Sequence, residues 1–96
     1  MNLFKIYLNK IKKQILKHKN TLNFKSEKDL ENVVVENPPV NFDFDLSSNI
    51  AMVLAKIVKD NPKNIAEKIK NILLKESRDF SDIHIAGPGF LNFKLR

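Results

Sequence analysis

The chain has 96 residues, enough for one domain with one modest core and too few for an ordinary catalytic domain plus anything else. It has no Cys, which excludes disulfides and thiol catalysis, and with only His18 and His84 available no zinc site is expected. The net charge of +6 is uneven: residues 1–26 carry seven Lys and no acid, whereas the remainder is close to neutral.

That lysine segment suggests a polyanionic partner or an acidic surface. The excess of Lys, Asn and Ile is also what an AT-rich genome produces. No apolar run approaches the ~20 residues that span a bilayer. Lys5, Lys10, Lys12 and Lys13 interrupt any apolar core of a signal peptide. The expected location is the cytoplasm.

Residues 2–19 predict a helix. Phe4, Tyr7, Leu8, Ile11 and Ile15 fall on one stripe, with lysines on the opposite face. The stripe reads as core. Laid on a membrane instead, it would leave a small domain short of core. Residues 20–32 are polar and predict a connection. "VVVE" (33–36) is β-branched and predicts a strand. In "NPPVNFDFD" (37–45), Pro38 and Pro39 exclude a helix and predict an extended or turn segment.

"LSSNIAMVLAKIVKD" (46–60) predicts a second helix, capped by Ser47 or Ser48. It has almost no polar face, so it reads as the buried central helix. Lys56 and Lys59 sit in its last turns, where the helix dipole favours cations. "DNP" (60–62) ends it and opens a third helix, with Asn61 as cap and Pro62 at the first helical position. Ile65, Ala66, Ile69, Ile72 and Leu73 form its stripe, which ends near Glu76. "SDIHIAGPGFLNFKL" (81–95) predicts two strands joined by a Gly-Pro-Gly turn. In the second of them Leu91, Phe93 and Leu95 share one face; Phe90, Asn92, Lys94 and Arg96 share the other.

No catalytic constellation stands out. Asp43 and Asp45 read as solvated turn acids ahead of a helix N-terminus. His18 and His84 read as surface residues. Gly87 and Gly89 are the only glycines, so there is no phosphate loop. The polar face of the last strand carries more chemistry. An aromatic ring can stack on a base, an amide can read a base edge, and two cations can neutralise phosphates. The same face is also what an ordinary amphipathic strand shows to water, and the pattern alone leaves both readings open.

"NIAMVLAK" (49–56), "NPKNIAEKI" (61–69) and "AGPGFLNFKL" (86–95), in this order and at this separation, resemble the N-terminal domain of arginyl-tRNA synthetase. The closing block is the most specific. The resemblance covers essentially the whole chain, with one departure. Where the family usually has a His-Gly-Asp-Tyr/Leu-Ala-Thr-Asn run, this chain has "DFDLSSN" (43–49). Asp45 and Asn49 match. Asp43 stands in the His place, Phe44 in the Gly place, and Ser47 and Ser48 replace Ala and Thr. Phe in place of Gly removes easy access to positive φ and puts the local turn in doubt.

The resemblance implies an α+β fold, a small antiparallel sheet flanked by about three helices. It implies that residues 1–96 form a single tRNA-recognition domain of a larger arginine–tRNA ligase, a class I aminoacyl-tRNA synthetase. Its catalytic and anticodon-binding domains would lie outside these residues. The whole enzyme would attach arginine to its tRNA using ATP with magnesium; this segment alone would have no catalytic activity. The implied partners are the D-loop or elbow of the arginine tRNA and the catalytic domain of the same polypeptide, with no membrane and no DNA. Asn92 is the implied base-reading residue. Phe90 as stacker and Lys94 and Arg96 as phosphate contacts rest more on the strand-face argument. The chain stops at Arg96 within what reads as a strand, so a domain boundary is expected there. The alternatives are a free-standing module binding RNA or protein, and a purely structural part packed on the rest of a synthetase.

Overall fold

The computed structural model describes residues 2–39 and 43–96. Helix α1 (Leu3–Leu16) opens with the Asn2 side chain accepting from Lys5 N, which satisfies one of the orphan donors of the first turn. Ile11 and Ile15 of its stripe are buried. The predicted 20–32 connection is more structured than its polarity suggested. A one-turn helix α2 (Lys19–Leu22) ends at Asn23 in the left-handed conformation, and a 3₁₀ turn follows at Glu27–Leu30. The Asp29 carboxylate accepts from Lys25 N and Ser26 N and fixes that turn. Leu22, Phe24 and Leu30 plug into the core. They are isolated apolar residues without a period, which is why the pattern missed them.

Strand β1 is Val35–Glu36, shorter than the predicted 33–36. Residues 46–48 are not the first turn of a helix. They form strand β2 (Leu46–Ser48), paired on both sides, so ladder hydrogen bonds outweigh the local helix signal. Helix α3 therefore starts later, at Ile50–Val58. Ser48 Oγ still accepts from a helical N–H, that of Ile50, at 3.2 Å. Asn49 turns its amide away from the helix, accepting from Val34 N at 2.8 Å and donating to Asn32 O at 3.2 Å. The burial of α3 is one-sided: Ile50, Ala51, Leu54 and Ala55 are buried, whereas Ile57 is 42% exposed.

Lys59, with φ +56°, closes α3. Asn61 Oδ1 accepts from Lys63 N, and Pro62 opens α4 (Pro62–Glu76), as the Asn-Pro pair predicts. Strands β3 (Phe80–Ala86) and β4 (Phe90–Leu95) form the predicted hairpin. The sheet is antiparallel throughout, in the order β1-β2-β4-β3.

The fold is thus α+β, with β4 in the interior of the sheet. Leu91 and Phe93 point to the helical layer and are fully buried there with Ile83 and Leu46. The rings of Phe80 and Phe93 lie 4.9 Å apart, and Tyr7 brings α1 onto Phe80 at 6.0 Å. Among the described residues no helix is long and apolar enough to cross a membrane.

Candidate nucleic-acid interface

Strand pairing builds the site. Glu36 pairs with Ser47, Ser47 with Asn92, and Asn92 with His84. Directly paired residues share a face, so these four side chains make one row across all four strands. The row lies on the face of the sheet turned away from the helices. Ala86 and Phe90 pair beyond it on one side, and Asp82 and Lys94 on the other.

This outer face does not simply meet water. Asn92 is fully buried. Neither its Oδ1 nor its Nδ2 has a hydrogen-bond partner. Most buried polar side-chain atoms in folded proteins are paired, and leaving one unpaired costs about 1–3 kcal/mol. Asn92 borders a cleft of about 520 Å³ between Pro38–Pro39 and the turn at Gly87–Pro88, lined also by Glu36, Ser47 and Phe90. Phe90 is half-buried in its wall.

Lys94 is held differently. Its Nζ donates to Asp43 Oδ2 at 2.8 Å and to Asp43 O at 3.3 Å. The hydrogen bond to Lys94 lowers the Asp43 carboxyl below its usual range, and the same bond, helped by the charges of Asp43, Asp45 and Asp82, raises the Lys94 ammonium. Asp45 is tied to the same strand: its N–H donates to Phe93 O and its carboxylate accepts from Leu95 N, both at 2.8 Å. The two aspartates therefore staple residues 43–45 to β4 rather than serving the N-terminus of α3. Arg96 lies just past the strand, exposed, with its backbone N–H on Asp79 O.

The structure thus gathers Phe90 and Asn92 at one cleft. It places Lys94 farther along the strand on an acidic partner and leaves Arg96 outside the sheet. The lysines of α1 belong to the helical layer and do not line the cleft; Lys10 pairs with Asp79 at 3.5 Å. His18 is tied to Glu76 at 2.8 Å. His84 is exposed, with its ring stacked on Phe44 at 5.7 Å. Among the described residues the non-glycine positions with positive φ are Asn23 and Lys59, so Phe44 sits in ordinary backbone. No group of three or more His, Cys, Asp or Glu among the described residues could hold a metal ion.

Sequence reasoning did not bring Ser47 or Glu36 to this site. Ser47 or Ser48 reads as a helix cap, and a two-residue strand leaves no periodic trace from which Glu36 could be placed.

The chain resembles known proteins along its whole length. A family model described as "Arginyl tRNA synthetase N terminal domain" matches residues 5–95. An arginine–tRNA ligase from Pelagibacter ubique is 38% identical over 96 residues, covering 100% of this chain and 17% of the relative. One from Bartonella bacilliformis is 42% identical over 99 residues, covering 99% of this chain and 16% of the relative. One from Lawsonia intracellularis is 54% identical over 59 residues, covering 62% of this chain and 11% of the relative. The chain therefore spans only a small part of the length of the curated relatives it matches.

Proposed function

Because this chain belongs to the arginyl-tRNA synthetase N-terminal domain family, we propose that it is the tRNA-recognition domain of a larger arginine–tRNA ligase, binding an unstacked base of the D-loop at the tRNA elbow. The observation that carries this reading is the Asn92 carboxamide, buried and unpartnered beside a cleft. An amide offers one donor and one acceptor side by side, which suits the edge of a base. Bases are accessible in this way in single-stranded loops, where they splay out and stack on aromatic rings. Phe90 is the ring available for stacking. Full burial of Asn92 means that a base edge reaches it only when the cleft wall, at Phe90 or Pro38, moves aside.

Lys94 and Arg96 are the phosphate contacts on this reading, with Lys94 exchanging Asp43 for a phosphate. The lysines of α1 add attraction that is independent of sequence. The larger protein attaches arginine to its tRNA at the expense of ATP with magnesium, in the cytoplasm. The described residues do not fit ATP or magnesium: they offer neither a phosphate loop nor a metal-ligand cluster. That chemistry falls to the catalytic domain of the same polypeptide, and residues 1–96 contribute binding and orientation.

The test is Asn92→Leu in the full-length protein. Leucine keeps the branched outline of the asparagine side chain, and removing an unpartnered buried amide offsets the crowding by its larger methyl groups. The expected result is a KM for tRNA raised about ten- to a hundredfold, as for loss of a bidentate base contact, with the KM values for arginine and ATP unchanged. Normal charging at limiting tRNA would overturn the assignment.

A further inference from the structure

Ser47 lies beside Asn92 on the cleft floor. The two are direct cross-strand partners in the β2–β4 ladder, and both border the cleft. Ser47 is 4% exposed, and its hydroxyl makes no hydrogen bond among the described residues. Its neighbour Ser48 is equally buried, but the Ser48 hydroxyl is spent on Ile50 N. Adjacent serines on one strand point to opposite faces, so one serves the start of α3 and the other faces the cleft.

Among the described residues only the Asn92 amide is both fully buried and unpartnered, so the Ser47 oxygen keeps an opening toward the cleft. A hydroxyl with no partner in the chain adds little to the fold, and an alanine methyl would fill nearly the same space. On the floor of a cleft beside an unpaired amide, however, a hydroxyl supplies another hydrogen-bonding point within one strand spacing. Strand spacing is about 4.8 Å. A planar heterocycle whose edge spans two or three polar atoms can engage both groups at once.

We infer that Ser47 is a specificity-determining residue of this cleft, hydrogen-bonding through Oγ to the same base edge that Asn92 reads. This rests on the reading of the cleft as a base site. With Asn92 alone the cleft checks two adjacent polar atoms of the base; with Ser47 it checks one more. A base or analogue lacking that further atom, but keeping the two read by Asn92, is then discriminated against.

The experiment is a double-mutant cycle in the full-length protein, with Ser47→Ala, Asn92→Leu and the double variant. Charging kinetics are measured against tRNA, and thermal denaturation is followed in parallel. Ser47→Cys, which keeps the shape and weakens the hydrogen bond, is the second variant at this position.

Ser47→Ala is expected to raise the KM for tRNA about three- to tenfold, the worth of one hydrogen bond, with kcat at saturating tRNA unchanged. Its Tm stays equal to the parent's or rises. Ser47→Cys falls between the two. In the Asn92→Leu background, Ser47→Ala loses little more, because the base edge both groups hold is already released. An unchanged KM in Ser47→Ala, alongside a raised KM in Asn92→Leu, overturns the role of Ser47 and leaves the base site standing. Additive losses overturn the shared base edge. A lowered Tm in Ser47→Ala shows that the hydroxyl supports the fold, and overturns the inference. An unchanged KM in Asn92→Leu overturns the base site, and with it the role of Ser47.

Discussion

Lys94 Nζ is 2.8 Å from the Asp43 carboxylate, so a cation on the outer face of the sheet is already neutralised by an acid of the same chain. The Asp43 side chain is 97% exposed, so water and salt screen the pair and its worth to the fold is small. The pair matters more as a competitor. A phosphate approaching Lys94 has to displace a carboxylate that occupies the same donor.

Asp43→Asn removes that competitor and keeps the size of the side chain. The expected result is tRNA binding tightened about two- to fivefold at low salt. Log–log salt dependence of binding steepens by roughly one counterion as Lys94 becomes available to a phosphate. Thermal stability stays nearly unchanged. Binding measured between low and moderate salt decides it: an unaltered slope would mean that Lys94 never meets a phosphate.

The parts of the fold written in local chemistry were legible in the sequence. Asn61-Pro62 starts α4, and Gly-Pro-Gly closes the β3–β4 hairpin, because a cap and a turn are each decided within a few residues. Strand β2 was not legible. Ser47-Ser48 ahead of an apolar run is a sound helix-cap signal, and it loses only because residues 46–48 pair with β1 on one side and β4 on the other. Nothing near position 47 announces those distant partners. The same gap separates the pattern of β4 from its environment. Alternation put Asn92 on the polar face correctly, but polarity reads as exposure until the course of residues 36–39 over that face is known. The candidate site was therefore half visible, with Phe90 and Asn92 in reach of the sequence and Ser47 and Glu36 supplied by tertiary pairing.

Acid should loosen the junction between α1 and the end of α4. The Glu76 carboxylate accepts from His18 Nε2 at 2.8 Å and from Gln14 Nε2 at 2.5 Å. The hydrogen bond to His18 is the main cause that pulls the Glu76 carboxyl below its ordinary value of 4.5. A carboxyl whose folded value is depressed contributes stability that is fully present above its ordinary value, and loses it as pH falls through the folded one. Parent and Glu76→Gln should therefore differ in Tm at pH 6–7, with the parent higher, and converge as the pH falls below about 4.5. A constant gap down to pH 3 would assign the effect of the substitution to shape rather than charge. Because both side chains are partly exposed, added salt should shrink the gap at neutral pH.

The two glycines of the hairpin should not be equally replaceable. Gly87 has φ +54°, and a Cβ there would meet only Phe90 Cδ2, at 4.0 Å. That is ordinary left-handed backbone, for which a side chain costs about 1–2 kcal/mol. Gly89 has φ +135°, and a Cβ there would come to 3.0 Å from Pro62 Cβ and 3.4 Å from Pro62 O and Met52 Cγ. The proline ring and its carbonyl belong to the fixed start of α4 and cannot swing aside. Gly89→Ala should therefore cost more than Gly87→Ala, by about 1 kcal/mol or more once backbone strain and the clash combine. It should also raise the KM for tRNA, because a turn pushed off α4 carries the next residue, Phe90, out of the cleft wall. Gly87→Ala should leave that KM near the parent value. Equal Tm losses in the two variants, from matched thermal melts, would show that the close packing of Gly89 against Pro62 does not set the position of the turn.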